Sequence, residues 1–276
     1  MKAFEELGSA IDDAWSRTDR DPCAFPAIAA EALQRAELHR RVDITRLADW
    51  LADADAIPPQ NLASTFGEPP LNVFVGQGWA IQVLCWVEGR TSVHCHDFAG
   101  AFTVMVGSSI QRRYRFTPRG EGDAGLRLGG LERRDLALLD AGAVEVIEPG
   151  AGLIHSVFHL DRPTLSVVAR TDALDLDEPQ FDYWPPSVAI DPEYADPLVL
   201  RRTQVLAMLL RAGLPEAEAF ATALVTRGGL QQAWRVLDLA LGAPACAPYL
   251  PRLVEAAARH GEAAEAMLTS LRQARW

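Results

Sequence analysis

The chain has 276 residues, 49% of them hydrophobic, and a formal net charge of −11 at pH 7. That apolar fraction supports a packed core, and the length suits one large domain or a medium domain with an appendage. The acidic balance, with arginines interspersed among acids instead of gathered in a stripe, argues against nucleic acid as a partner.

The opening segment MKAFEELGSAIDDAW has no apolar signal core. No run in the chain approaches the roughly 20 apolar residues a membrane helix needs, so a cytoplasmic protein without a membrane partner is expected. Residues 3–16 and 27–55 carry apolar side chains at helical spacing, among them Ile28, Ala32, Leu33, Ala36 and Leu38, then Ile44, Leu47, Trp50 and Leu51. Pro58-Pro59 and Pro69-Pro70 punctuate a loop that closes this helical region. From Leu71 to about Arg170 the pattern becomes β: LNVFV, WAIQVLCWV, AFTVMVG, SIQRRYRF, AVEVIE and TLSVVAR, with Gly or Pro between most of them. Strands at this spacing with no helices between them predict an antiparallel sandwich or barrel. The acidic, proline-bearing stretch DLDEPQFDYWPPSVAIDPEYADP is expected to be irregular. Residues 198–274 return to helical periodicity through Leu206, Leu209, Leu210, Trp234, Leu237 and Leu241, which predicts three or four helices. The expected division is 1–66 for helices packing on the β region, 67–180 for the β region, and 181–276 for a linker and helical bundle.

The four cysteines, Cys23, Cys85, Cys95 and Cys246, are scattered, which argues against a disulfide framework or a CxxC zinc clip and fits a reducing compartment. Lys2 is the only lysine, a compositional hint of a GC-rich bacterial source.

The segment SVHCHDFAGAF places His94 and His96 one residue apart at the end of an apolar run. In a strand, residues i and i+2 share a face about 6.6 Å apart, so both imidazoles can reach one point while Cys95 and Asp97 face away. Asp97 is then either an acceptor orienting a ligand imidazole or a surface residue. The segment EPGAGLIHSVFH supplies His155 after a Pro-Gly turn. His159 is four residues further, about 13 Å along a strand, too far to share an ion with His155, and is read as a turn or surface histidine. His39 and His260, among charged residues in helical segments, are expected to be solvated.

These segments resemble the two cupin motifs: Gly89-x4-His94-x-His96 with Gly107 downstream, and Pro149-Gly150-x4-His155. The run FVGQGWAIQVLCWVEGRTSVHCHDFAGAF, preceded by helices and followed by IHSVFHLDRPTLSVV, is similar to cysteine dioxygenase and its thiol-dioxygenase relatives over residues 70–170. The resemblance implies an α+β protein: a cupin jelly-roll β-barrel with an N-terminal helical segment, here joined by a C-terminal helical bundle. It implies metal ligands His94, His96 and His155, with Gly100 and Ala101 where cupins in general place a glutamate ligand. Ala101 also stands near the position of the crosslinking cysteine of cysteine dioxygenases. Of that family's serine, histidine and tyrosine after the third ligand, the serine matches Ser166, while Val168 and Arg170 replace the other two. The family's substrate-carboxylate arginine falls near Pro69-Pro70 and is absent.

Three neutral imidazoles leave a divalent ion its full charge and about half of an octahedral sphere open. Such a set suits Fe(II) with O2 and an anionic substrate, or zinc with an acidified water; nickel, manganese and copper are also compatible. The resemblance favours iron. By strand parity Arg170 points into the pocket, where a guanidinium requires a carboxylate from protein or substrate. On SIQRRYRF, Arg112 and Tyr114 share a face with Ile110 and Phe116 and are expected to line the barrel, as substrate-binding and catalytic candidates or as an internal ion pair and a packed ring. Tyr183 is read as covering the barrel mouth or as a packing residue.

The leading expectation is a non-haem ferrous cupin oxygenase acting on a small acidic or amino-acid-like, thiol-bearing or thiol-free substrate with O2. Its alternatives are a redox-neutral metal-dependent cupin (isomerase, lyase or hydrolase) and a non-catalytic ligand-binding barrel. The C-terminal bundle serves in these readings as a lid, a homodimer face, a docking surface for a partner protein, or a structural appendage.

Overall fold

The computed structural model describes residues 1–276 apart from 65, 88, 121, 124 and 274–276. Four helices come first: α1 (Lys2–Ser16), α2 (Phe25–Ala36), α3 (Leu38–Arg41) and α4 (Ile44–Asp53). Nine strands follow: β1 (Pro70–Gly76), β2 (Trp79–Trp86), β3 (Val93–His96), β4 (Gly100–Val106), β5 (Ser109–Pro118), β6 (Leu126–Leu139), β7 (Val144–Ile147), β8 (Gly150–His159) and β9 (Thr164–Thr171). A short hairpin, β10 (Asp182–Trp184) and β11 (Val188–Ile190), precedes α5 (Pro197–Arg211), α6 (Glu216–Arg227), α7 (Leu230–Gly242), α8 (Leu250–Ala257) and α9 (Glu262–Gln273). One sheet has the order β1-β2-β9-β4-β7, and a second set, β10-β11-β6-β5-β8-β3, closes as a barrel. This is an α+β architecture, a five-stranded sheet and a closed six-stranded barrel with helices before and after them. No helix among the described residues is long and apolar enough to cross a membrane.

Packing divides the chain into two units, Met1–Tyr114 with Arg133–Glu178, and Arg115–Glu132 with Pro179–Trp276. In the first unit the helical layer covers one face of the five-stranded sheet. Phe4, Leu7, Ile11 and Trp15 of α1 and Phe25, Ala29 and Leu33 of α2 are spaced three and four apart, so each helix presents one apolar stripe. These stripes pack with Ile81, Val83, Ala101, Leu165, Val167 and Ala169 in one buried cluster. A Cβ at Gly8 would lie 2.4 Å from the Phe74 ring, so α1 approaches β1 this closely only because position 8 is glycine. Asp43 caps α4, accepting from the Arg46 backbone N–H at 2.8 Å.

In the second unit Leu206, Leu224, Trp234, Leu237, Leu253 and Met267 form an apolar core with Leu126, Val188 and Ile190. Two features of this unit depart from expectation. The stretch expected to be irregular contains β10 and β11, whose residues Val188 and Ile190 pair with Leu128 and Leu126 of β6. The prolines hid this alternation from the sequence reading, because Pro185 and Pro186 form the hairpin turn between the two strands. Among the described residues the C-terminal region holds five α-helices instead of three or four. Pro244 and Gly261, the latter at φ +59°, interrupt the apolar periodicity and divide it into shorter helices.

Candidate metal centre

β3 and β8 run antiparallel with His94 opposite His155, and the register shifts between His94 and His96, so that His96 faces Gly150. This pairing brings the three imidazoles together: ring centroids lie 4.7 Å apart for His94–His96, 4.8 Å for His94–His155 and 5.1 Å for His96–His155. One ring nitrogen from each lies within 4.8 Å of the other two, and all three residues are buried. Aromatic rings flank the cluster, with Phe66 edge-on to His94 at 5.5 Å, Phe98 beside His96 at 4.8 Å and Phe102 at 6.2 Å from His155.

The protonation state follows from burial. Desolvation, then the neighbouring His94, His155 and Arg170 charges, hold His96 well below its ordinary range. His155 is lowered likewise by burial, then by His94 and Arg113. His94 has its Nδ1 3.0 Å from the Ser92 carbonyl oxygen, which fixes the proton there and leaves Nε2 as the lone-pair atom. Both ring nitrogens of His155 and Nδ1 of His96 make no hydrogen bond among the described residues. Buried lone pairs that converge in this way cost free energy unless a cation or donor meets them, so the residues fit a divalent ion bound by three nitrogens.

No carboxylate joins the cluster among the described residues. The backbone shows why. A Cβ at Gly100 would lie 2.4 Å from the Ala169 carbonyl oxygen and 3.1 Å from Arg170 Cα, so no side chain fits there. Ala101 is fully buried within the helix-facing cluster, on the other side of the sheet from the histidines. Cys95 is buried and lies outside the ligand cluster.

Arg170 shares a face of β9 with Ser166 and Val168, and Val168 packs with Trp86 and Phe102 on the inner side of the sheet. Its Nε donates to Gln82 Oε1 at 2.9 Å, and its guanidinium lies 4.8 Å from the Phe98 ring. Burial lowers its pKa, against the raising influence of Asp97 and Asp172, so Asp97 acts electrostatically on Arg170. Ser166 Oγ accepts from Trp86 Nε1 at 2.9 Å.

β5 presents the opposite face from the one its apolar residues suggest. Its register partners are Ser109 with His159, Gln111 with Val157 and Arg113 with His155, so the odd-numbered residues share the histidine-bearing face. Arg112 and Tyr114 therefore lie on the other face, where Tyr114 Oη is 3.3 Å from Ser156 Oγ. The expectation that they line the barrel is corrected: polar Ser109 and Gln111 are 1% exposed, while Ile110 is only partly buried. Apolar alternation marks the inward face only where the strand opposite is apolar too, and here β5 faces His155 and His159 of β8. Arg113, half-exposed and ion-paired with Glu145, is the arginine that shares the face of His155. Alternation of Ser109, Gln111 and Arg113 was the available signal.

His159 is not a surface residue. It is 5% exposed, its ring stacks on Trp86 at 4.6 Å and 15°, and Nδ1 is 3.0 Å from Ser109 Oγ. Burial lowers its pKa from 6.5 to about 4, with Glu68 opposing. His39 and His260 are partly buried, and His260 Nε2 is 3.1 Å from the Val225 carbonyl. Tyr183 belongs to the second unit, where its ring packs against Phe116 at 5.2 Å and Phe181 at 6.3 Å.

No protein-family model matches the sequence, and no curated protein matches it. Among solved structures, the chain is similar to hydroquinone 1,2-dioxygenase PnpCD in complex with Cd2+ and 4-hydroxybenzonitrile (19% identity, TM-score 0.29, 37% of this chain and 63% of that one). It is also similar to the DMSP lyase DddQ from Ruegeria pomeroyi DSS-3 (17%, 0.26, 40% and 45%). A third is a cupin-2 domain protein from Shewanella frigidimarina NCIMB 400 (16%, 0.28, 45% and 91%). The chain thus spans less than two thirds of the length of the first two, and no functional conclusion follows from likeness at these values.

Proposed function

We propose that this protein is a non-haem ferrous oxygenase of the cupin type, with His94, His96 and His155 as the metal ligands and a small acidic molecule as substrate. The observation that supports this reading is the set of three buried imidazoles, with burial holding His96 and His155 well below their ordinary range and no carboxylate joining the cluster among the described residues. Ferrous iron in such a site retains its full charge and open positions, and would supply O2 activation next to an anionic substrate. Zinc fits the same donor set and would support redox-neutral chemistry.

The chain's own groups define the rest of the site. Ser92 holds His94 in one tautomer through its carbonyl. Phe66, Phe98 and Phe102 pack against the imidazoles, which are buried, and burial strengthens charge interactions there. Arg170, held by Gln82 and Phe98, and Arg113, held by Glu145, are the two cations whose charge reaches the histidines, and they receive the substrate carboxylate. The site lacks the family's histidine and tyrosine at Val168 and Arg170, and Ser166 is engaged by Trp86, so the substrate is distinct from cysteine.

The test is EPR of anaerobically purified, iron-loaded protein with nitric oxide added. A spin-3/2 iron-nitrosyl signal is expected. Iron binding without a nitrosyl signal would defeat the oxygenase reading and shift weight to redox-neutral chemistry.

A further inference from the structure

The paired inner faces of β5 and β8 form a ladder with three rungs: Arg113 opposite His155, Gln111 opposite Val157, and Ser109 opposite His159. Successive rungs are about 6.6 Å apart. The first rung carries Arg113, ion-paired with Glu145, opposite His155, and belongs to the metal centre described above. The other two carry uncharged polar groups that the centre does not use. Gln111 is 1% exposed, and neither its amide oxygen nor its amide nitrogen has a hydrogen-bond partner among the described residues. Nε2 of His159 is likewise buried without a partner, while its ring is fixed by Trp86 and Ser109. A buried amide of this kind destabilises the fold unless something supplies both a donor and an acceptor to it.

We propose that Gln111 and His159 form the far end of the substrate site, one to two rungs from the metal, where an uncharged hydrogen-bonding group of the substrate is read. This rests on the metal-centre reading for its near end. The substrate class that fits is a short carboxylic acid bearing a hydroxyl or primary amide a few bonds from its carboxylate. The acid group goes to the Arg113 and Arg170 end, and the uncharged group to Gln111. A second carboxylate is disfavoured at the far end, because Ser109, Gln111, Trp86 and a neutral His159 offer it no counter-charge and Glu68 acts on His159 from nearby.

The experiment uses the full chain loaded with cobalt(II) and titrates three probes, succinamate, succinate and butyrate, followed by the cobalt absorption bands and by thermal shift. Succinamate is expected to bind at least about tenfold more tightly than the other two, because only it satisfies the amide site. In Gln111→Met that preference should fall to within about twofold, cobalt stoichiometry should stay unchanged, and the melting temperature should rise as the unmatched amide is removed. If Gln111→Met does not fold, Gln111→Asn withdraws the amide while keeping its polarity and should also lose the preference. No preference in the parent, or an undiminished one in a folded Gln111 variant, overturns the subsite. Cobalt binding without probe discrimination defeats the subsite and spares the metal centre; discrimination by thermal shift without cobalt binding does the reverse.

Discussion

Leu165, Val167 and Ala169 on one face of β9 are fully buried with residues of α1 and α2, whereas Ser166, Val168 and Arg170 on the other face carry a hydroxyl, an isopropyl group and a guanidinium towards the histidine side. One eight-residue strand thus serves two purposes with period two. The helix-covered side is predominantly apolar and carries stability. The inner side keeps polar groups that a protein selected for stability alone would not bury, and the histidine cluster lies with them. Chemistry and stability are therefore separable by face, and substitutions on each should have different readouts.

The largest effect is expected on the helix side. Phe25 is fully buried, with its ring 4.8 Å from Trp15 and 5.7 Å from Trp79. Phe25→Ala should cost about 3–5 kcal/mol in a urea melt. The folded fraction should still bind metal with the stoichiometry of the parent; a loss of binding in folded protein would show that the two faces are coupled.

A smaller effect sharpens the inner side. His159 has its folded pKa lowered to about 4, so the unfolded chain takes up the proton first as pH falls. The stability contributed by the neutral ring is complete above about pH 6.5 and is lost as pH falls towards about 4, a change of about 1–3 kcal/mol. His159→Phe keeps the stack on Trp86 and removes the titration, so its stability should fall less steeply over this window. An identical pH profile would mean that His159 is not buried in its neutral form.

The helical N-terminus and the antiparallel β region were legible because their apolar periods are long, as in α1 and β2, and the helical C-terminus was legible in kind, although Pro244 and Gly261 divide it more finely. The histidine pair His94 and His96, and His155, were legible because strand parity and a Pro-Gly turn place them without knowledge of the tertiary fold. β5 departs from the expected facing for a physical reason. Its face was assigned from Ile110 and Phe116, but the partner strand turns Ser109, Gln111 and Arg113 towards His155, and strand pairing is a tertiary property that alternation alone does not contain. The distance of His159 from His155 carries no information on its burial, which comes from Trp86, 73 residues earlier in the chain. β10 and β11 were hidden by prolines that lie in the turn between them.

The central claim is that three histidines, and not a fourth, hold a metal ion. The most direct measurement is iron content after anaerobic reconstitution with ferrous iron and desalting, in the parent protein, His155→Ala and His159→Ala. The account predicts about one ion per chain in the parent and in His159→Ala, and almost none in His155→Ala. Equal iron content in all three proteins, or none in the parent, would contradict it.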